Sequence, residues 1–320
     1  MRRSAAALAL ALALAACAKE LPPPDPRYEP SQSILEVVAT LRRHVPDDTY
    51  RFEPARDFAG RNVYRSSLIR LESLEHVHED ALRAGYMEGI LAFAKGRALE
   101  RLRAYDLAAT SYRRAADREP ELRQAAMRSA ALCDGLAEAA SLGYEADRPR
   151  PDGEPPPPAP VDPATAVAEF DQRLALLDAL MLESEGTHYA PIVREEIERT
   201  DLARAQYFAS RRGAFADGNV RALAELQGLV TRHRESKNKN RHLLVLADLY
   251  ATIAEEYVAA RPPESLWFDP PSFQEYVDAA SRLYEAVANQ DGSSEKLEAA
   301  RRLEAFLAFT LRVDRDRFGE

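Results

Sequence analysis

Residues 89–122 run GILAFAKGRALERLRAYDLAATSYRRAADREPEL, and their small and aromatic members fall where two antiparallel helices need them. Helices packed about 8–10 Å apart require small residues where the backbones approach and larger ones to fill the groove between them. A proline then ends the second helix, because it lacks the N–H that would continue it. Gly96, Ala108 and Ala115 meet the first need, Leu99, Tyr105 and Tyr112 the second, and Pro120 the third.

The same periodicity extends along the chain. Apolar residues recur at three- and four-residue spacing in Leu243, Leu246, Ala247, Tyr250, Ile253, Ala254 and Tyr257, and again in Leu297, Ala300, Leu303, Leu307 and Leu311, the pattern of a helix with one buried stripe. No segment alternates as a strand would. Helices are expected over 31–45, 61–83, 86–103, 106–118, 121–142, 164–182, 190–212, 218–234, 241–260, 273–289 and 294–313. Stops are supplied by Pro46, Gly85, Pro120, Gly213, Pro262-Pro263 and Gly292. The fold class is therefore all-α.

Residues 89–122 resemble the 34-residue tetratricopeptide repeat. The small residues typical of that family are matched by Gly96, Ala108 and Ala115, its second-helix aromatic by Tyr112 and its closing proline by Pro120, with Leu99 at a usually aromatic position. The match is degenerate: Ala92 stands where the family has Trp, Lys95 where it has Leu, and Arg103 where Gly is common. In the next repeat Cys133 takes the place equivalent to Leu99, and the proline-rich stretch beyond leaves that first helix alone, as a cap. A weaker echo joins Leu243, Leu246, Ala247 and Tyr250 to Ala280 and Tyr284, with an insertion carried by Arg261 to Ser272. The resemblance implies helical hairpins stacked as a superhelical array whose concave face, built from first helices, binds another protein.

The N-terminus assigns an address. Arg2-Arg3 precede the apolar run Ala5 to Ala16, which is shorter than the roughly 20 residues that span a bilayer, and Cys17 follows at once. That order is a secretory signal, and Leu14-Ala15-Ala16-Cys17 resembles the lipobox of bacterial lipoproteins. The resemblance implies removal of residues 1–16 and acylation of Cys17, several chains together making a lasting anchor. Ala18 is not the Asp that retains such proteins in the inner membrane, so the resemblance points to the periplasmic face of the outer membrane. Residues 17–30, rich in proline, form a tether. A second proline-rich stretch, 147–163, is read as the linker between an N-terminal helical domain (31–146) and a C-terminal one (164–320), the alternative being a long surface loop within one continuous superhelix.

Composition narrows the partners. The net charge is −9, and −11 once Arg2 and Arg3 leave with the signal, which disfavours nucleic acid. Cys133 is left without a disulfide partner.

Catalytic patterns are scarce. No G-x-S-x-G elbow, phosphate loop, H-E-x-x-H or paired C-x-x-C occurs. Glu183-Ser184 matches the Glu-Ser of lytic transglycosylases, but the Gly-Leu-Met-Gln block that should follow is missing. His76 and His78 point about 200° apart on a helix and cannot share an ion. No catalytic residue, cofactor or metal is expected. Two features could instead meet a partner: the basic turn from Ser236 to His242, with Lys239 and Arg241 at a helix start, and Trp267-Phe268 framed by Pro262-Pro263 and Pro270-Pro271. The leading functional expectation is a membrane-anchored periplasmic scaffold that binds an envelope protein. Its rivals are a solute-binding accessory of a transporter and a cell-wall-turnover enzyme.

Overall fold

In the computed structural model the chain is described over residues 29–44, 55–84, 87–145 and 162–318. Twelve α-helices lie within them: α1 (Glu29–His44), α2 (Val63–Val77), α3 (Glu79–Arg83), α4 (Glu88–Arg101), α5 (Tyr105–Arg118), α6 (Arg123–Ser141), α7 (Pro163–Ser184), α8 (Ala190–Arg211), α9 (Gly218–Arg232), α10 (Lys239–Ala260), α11 (Pro270–Ala288) and α12 (Lys296–Phe318). The described residues form no strand, only one isolated bridge between Arg56 and Asn62.

Local chemistry accounts for several boundaries. The Asn62 side chain accepts from the Arg65 N–H and caps α2, while Asp162 accepts from Ala164 and Thr165 ahead of Pro163, where the missing proline donor costs nothing. The helix expected over 61–83 breaks at His78, whose φ of −115° ends α2 and starts α3. α1 begins at Glu29, inside the expected tether, because Pro30 in a first turn is compatible with helix.

Packing follows chain order. From α4 onward each helix rests on the next, and α1, α2 and α4 pack on one another. The core is accordingly strung along the molecule: Ile34, Tyr64, Leu71 and Leu91 at one end, Tyr112, Cys133, Leu136 and Leu177 next, then Phe208, Leu226 and Leu229, and finally Ala247, Ala280, Tyr284 and Phe306. Gly96 marks a close approach between α4 and α5. A Cβ there would stand 2.7 Å from the Tyr112 ring, so only glycine lets α5 seat its aromatic on α4. Leu99, Tyr105, Ala108 and Ala115 are all buried in the same cluster.

The residues on either side of the proline-rich stretch are in contact. Residues 146–161, like the signal, Cys17 and the tether up to residue 28, lie outside the described residues. α7 nevertheless packs on α6, so α6 does not stand alone as a cap, and Leu177, Tyr189, Ile192 and Val193 share one core cluster with α4, α5 and α6. A buried ion cluster adds to the junction. Arg103 donates to both Glu145 oxygens at 3.0 Å and to Glu196 at 2.7 and 2.9 Å. Arg173 on α7 donates to Glu145 and Glu196 at 3.3 and 3.2 Å, and the Tyr105 hydroxyl donates to Glu196 at 3.0 Å. Arg103 itself turns the chain between α4 and α5 with φ of 64°, in the left-handed region that favours glycine; its paired guanidinium helps hold it there.

At the far end, the insertion expected between Ala247 and Ala280 is mostly helix. α10 runs to Ala260 and α11 starts at Pro270, leaving residues 261–269 as the connection.

Candidate binding groove

α4 presents Ile90, Phe93, Ala94, Arg97, Glu100 and Arg101 along one stripe, at the three- and four-residue steps that align side chains on a helix. Opposite them α1 contributes Leu35, Val38, Leu41 and Arg42, α2 contributes Tyr64, and the start of α8 closes the side with Pro191 and Ile192 behind His188. Together they enclose a half-open cavity of about 550 Å³, within the roughly 300–1,000 Å³ range of small-molecule sites. Its walls are mainly aliphatic and aromatic. Leu35 stands at the mouth, 54% exposed.

The polar groups of the cavity are fixed by one another. Glu100 is buried on α4 and accepts from the Tyr112 hydroxyl at 2.8 Å and from Arg97 at 3.3 Å. Arg97 in turn lies over the rings of Phe93 and Tyr189, 5.5 and 5.4 Å from their centroids. Burial first, then the Glu100 charge, pushes the Tyr189 hydroxyl up to about 12, and that hydroxyl meets Ser129. Burial and Glu100 likewise raise the Cys133 thiol, whose Sγ sits 3.9 Å from the same carboxylate; it is a packed, unreactive thiol. Desolvation, reinforced by Arg97, pushes His188 down to about 4, so this imidazole is neutral near pH 7. Arg101 pairs with Glu195 at 3.1 Å and lies 5.9 Å over Tyr64. Arg42 is exposed at the rim and forms no ion pair among the described residues.

Such a lining can shelter an apolar body and neutralise an anion at its rim. Glu100, its one carboxylate, is committed to Tyr112 and Arg97 rather than presented as an acid or base.

The two features singled out from sequence are placed apart. Lys239 and Arg241 open α10, whereas Trp267 and Phe268 follow its C-terminal end, about 30 Å away at 1.5 Å per residue. The basic turn is knitted inward: Ser236, Asn238 and His242 all bond to Glu198 of α8, with His242 at 2.7 Å. Arg241 is exposed near Glu295. Phe268 folds back on Tyr257 and Phe273, with centroids 5.7 and 5.5 Å apart, while Trp267 remains 82% exposed. Glu183 is exposed and Ser184 buried at the end of α7, and neither lines the groove. Among the described residues no three His, Cys, Asp or Glu side chains converge as a metal site would require.

The sequence reading missed the groove because Leu35, Ile90 and Phe93 have the spacing of ordinary core residues. The available signal was Arg97, a charged residue on the same helical stripe as Ile90, Phe93 and Ala94. Compared with models of known protein families and with curated proteins, the chain matches none.

Proposed function

We propose that this chain is a non-enzymatic binding protein of the bacterial envelope, a lipoprotein held through Cys17 at the periplasmic face of the outer membrane and built as a degenerate tetratricopeptide-like array. The repeat reading is supported by Gly96 beneath Tyr112 and by the positive φ of Arg103, which stands where the repeat commonly has glycine. No described helix is long and apolar enough to cross a membrane, and in this reading the attachment is the lipid on Cys17.

The observation that carries the binding role is the groove between α1, α2, α4 and α8: an apolar cavity with a few converging polar groups is the usual form of a small-molecule site. It favours a solute-binding accessory over the protein scaffold. The test is a melting-temperature screen of periplasmic small molecules, in which a true ligand stabilises saturably as RT ln(1 + [L]/Kd). Leu35→Glu, at the mouth, should abolish that rise. A screen with no saturable shift, or one indifferent to Leu35→Glu, would remove the solute reading.

The scaffold remains the second reading, favoured by Leu266 and Trp267, fully and largely exposed side by side after α10. Aromatic anchors of this kind dominate protein interfaces. A photocrosslinker at Trp267 that captures one specific envelope protein would support it.

A further inference from the structure

The groove carries more positive charge than its surroundings account for. Three arginines, Arg42, Arg97 and Arg101, line it against one glutamate, Glu100, in a chain whose net charge is −9. His188 adds no charge at neutral pH because its imidazole is held deprotonated. Arg97 is held by Glu100 and Arg101 by Glu195, each at hydrogen-bond distance. Arg42 is the cation left over, at the C-terminal end of α1, among the described residues. The same cavity is lined by apolar side chains of both helices, Leu35 and Val38 of α1 and Ile90 and Phe93 of α4.

We propose that the groove takes an anionic amphiphile: a linear apolar chain lies between α1 and α4, and its carboxylate or phosphate head rests at the rim against Arg42. The inference rests on the solute-binding reading and names the class of solute. Burial of the chain supplies the affinity, since each methylene removed from water adds to binding. The rim cation supplies the selectivity for charge, and it is partly screened because it is exposed. A free fatty acid and a lysophospholipid share this chemistry. A short polar acid lacks the chain, and a neutral alcohol lacks the head.

The test is calorimetry on the full chain bearing Cys17→Ser, titrated with dodecanoate, dodecanol, succinate and a dodecanoyl lysophosphatidylglycerol, each below its aggregation threshold. Dodecanoate or the lysolipid should bind saturably, and the tighter of the two identifies the head group. Arg42→Glu should weaken that ligand roughly fivefold to tenfold while leaving dodecanol unchanged. Leu35→Glu should weaken every chain-bearing probe. Equal affinity for dodecanol and dodecanoate, or an Arg42→Glu variant that binds dodecanoate as the parent does, would overturn the proposal. Saturable binding of succinate with none of the amphiphiles would overturn it too, yet leave the solute-binding reading standing. Both variants alter exposed residues, and an unchanged melting temperature without ligand confirms that each is folded.

Discussion

Gly96→Ala should destabilise this protein even though alanine is the better helix former. Within a helix the exchange ordinarily gains about 1 kcal/mol. Here the new Cβ would lie 2.7 Å from Tyr112 Cε1, whereas ordinary contact begins at 3.4 Å, so the ring must retreat by about 0.7 Å. It has little room. Tyr112 is fully buried, its edge packs on Phe93 at 5.2 Å, and its hydroxyl donates to Glu100 at 2.8 Å. Overpacking costs about 1–3 kcal/mol, and lengthening a hydrogen bond to a carboxylate costs about 1–2 kcal/mol more. Against the propensity gain, the net loss should be about 2 kcal/mol. The measurement is urea unfolding followed by circular dichroism, with Gly228→Ala as control. Gly228 is also helical, but its new Cβ would meet only the end of the Arg232 side chain at 3.2 Å; that variant should gain up to about 1 kcal/mol. Pairing Gly96→Ala with Tyr112→Phe should give less than the sum of the two losses, because the freed ring can move. If Gly96→Ala gains stability as Gly228→Ala does, α5 does not seat its tyrosine on α4 and the hairpin register is wrong.

Two further outcomes follow from the junction between α4 and α8. Burial raises Glu195 to about 7 against the attraction of Arg101, above an ordinary carboxylate near 4.5, so its contribution to stability is full below about pH 4.5 and is lost as pH rises through 7. The parent should therefore gain urea resistance relative to Glu195→Gln between pH 8 and pH 5, and parallel behaviour of the two across that range would refute the assignment. Cleavage inside residues 147–163 should leave two fragments that co-elute on gel filtration, because α6 and α7 share a core and Arg103, Glu145, Arg173 and Glu196 form one buried cluster. Fragments that separate under native conditions would show that the junction is too weak to hold them.

The helices were legible because their signals are local. A 3.6-residue apolar period, a glycine or proline stop and a small residue opposite a tyrosine act within one or two turns, and Gly96, Ala108, Tyr112 and Ala115 sit in the packed positions their spacing implied. What needed the tertiary structure depends on groups far apart in the chain. Arg103 meets Glu196 across 93 positions, and nothing near either residue announces the pair. The groove brings Leu35 and Arg42 of α1 to Phe93 of α4 and Ile192 of α8, and which apolar residues line a cavity instead of filling a core is set by how helices stack. The same holds for the two expected partner sites: Arg241 and Trp267 are only 26 positions apart, yet one long helix carries them to opposite ends. Sequence periodicity determines which face of a helix is apolar; only the packing of other helices decides whether that face is covered, left open or enclosed.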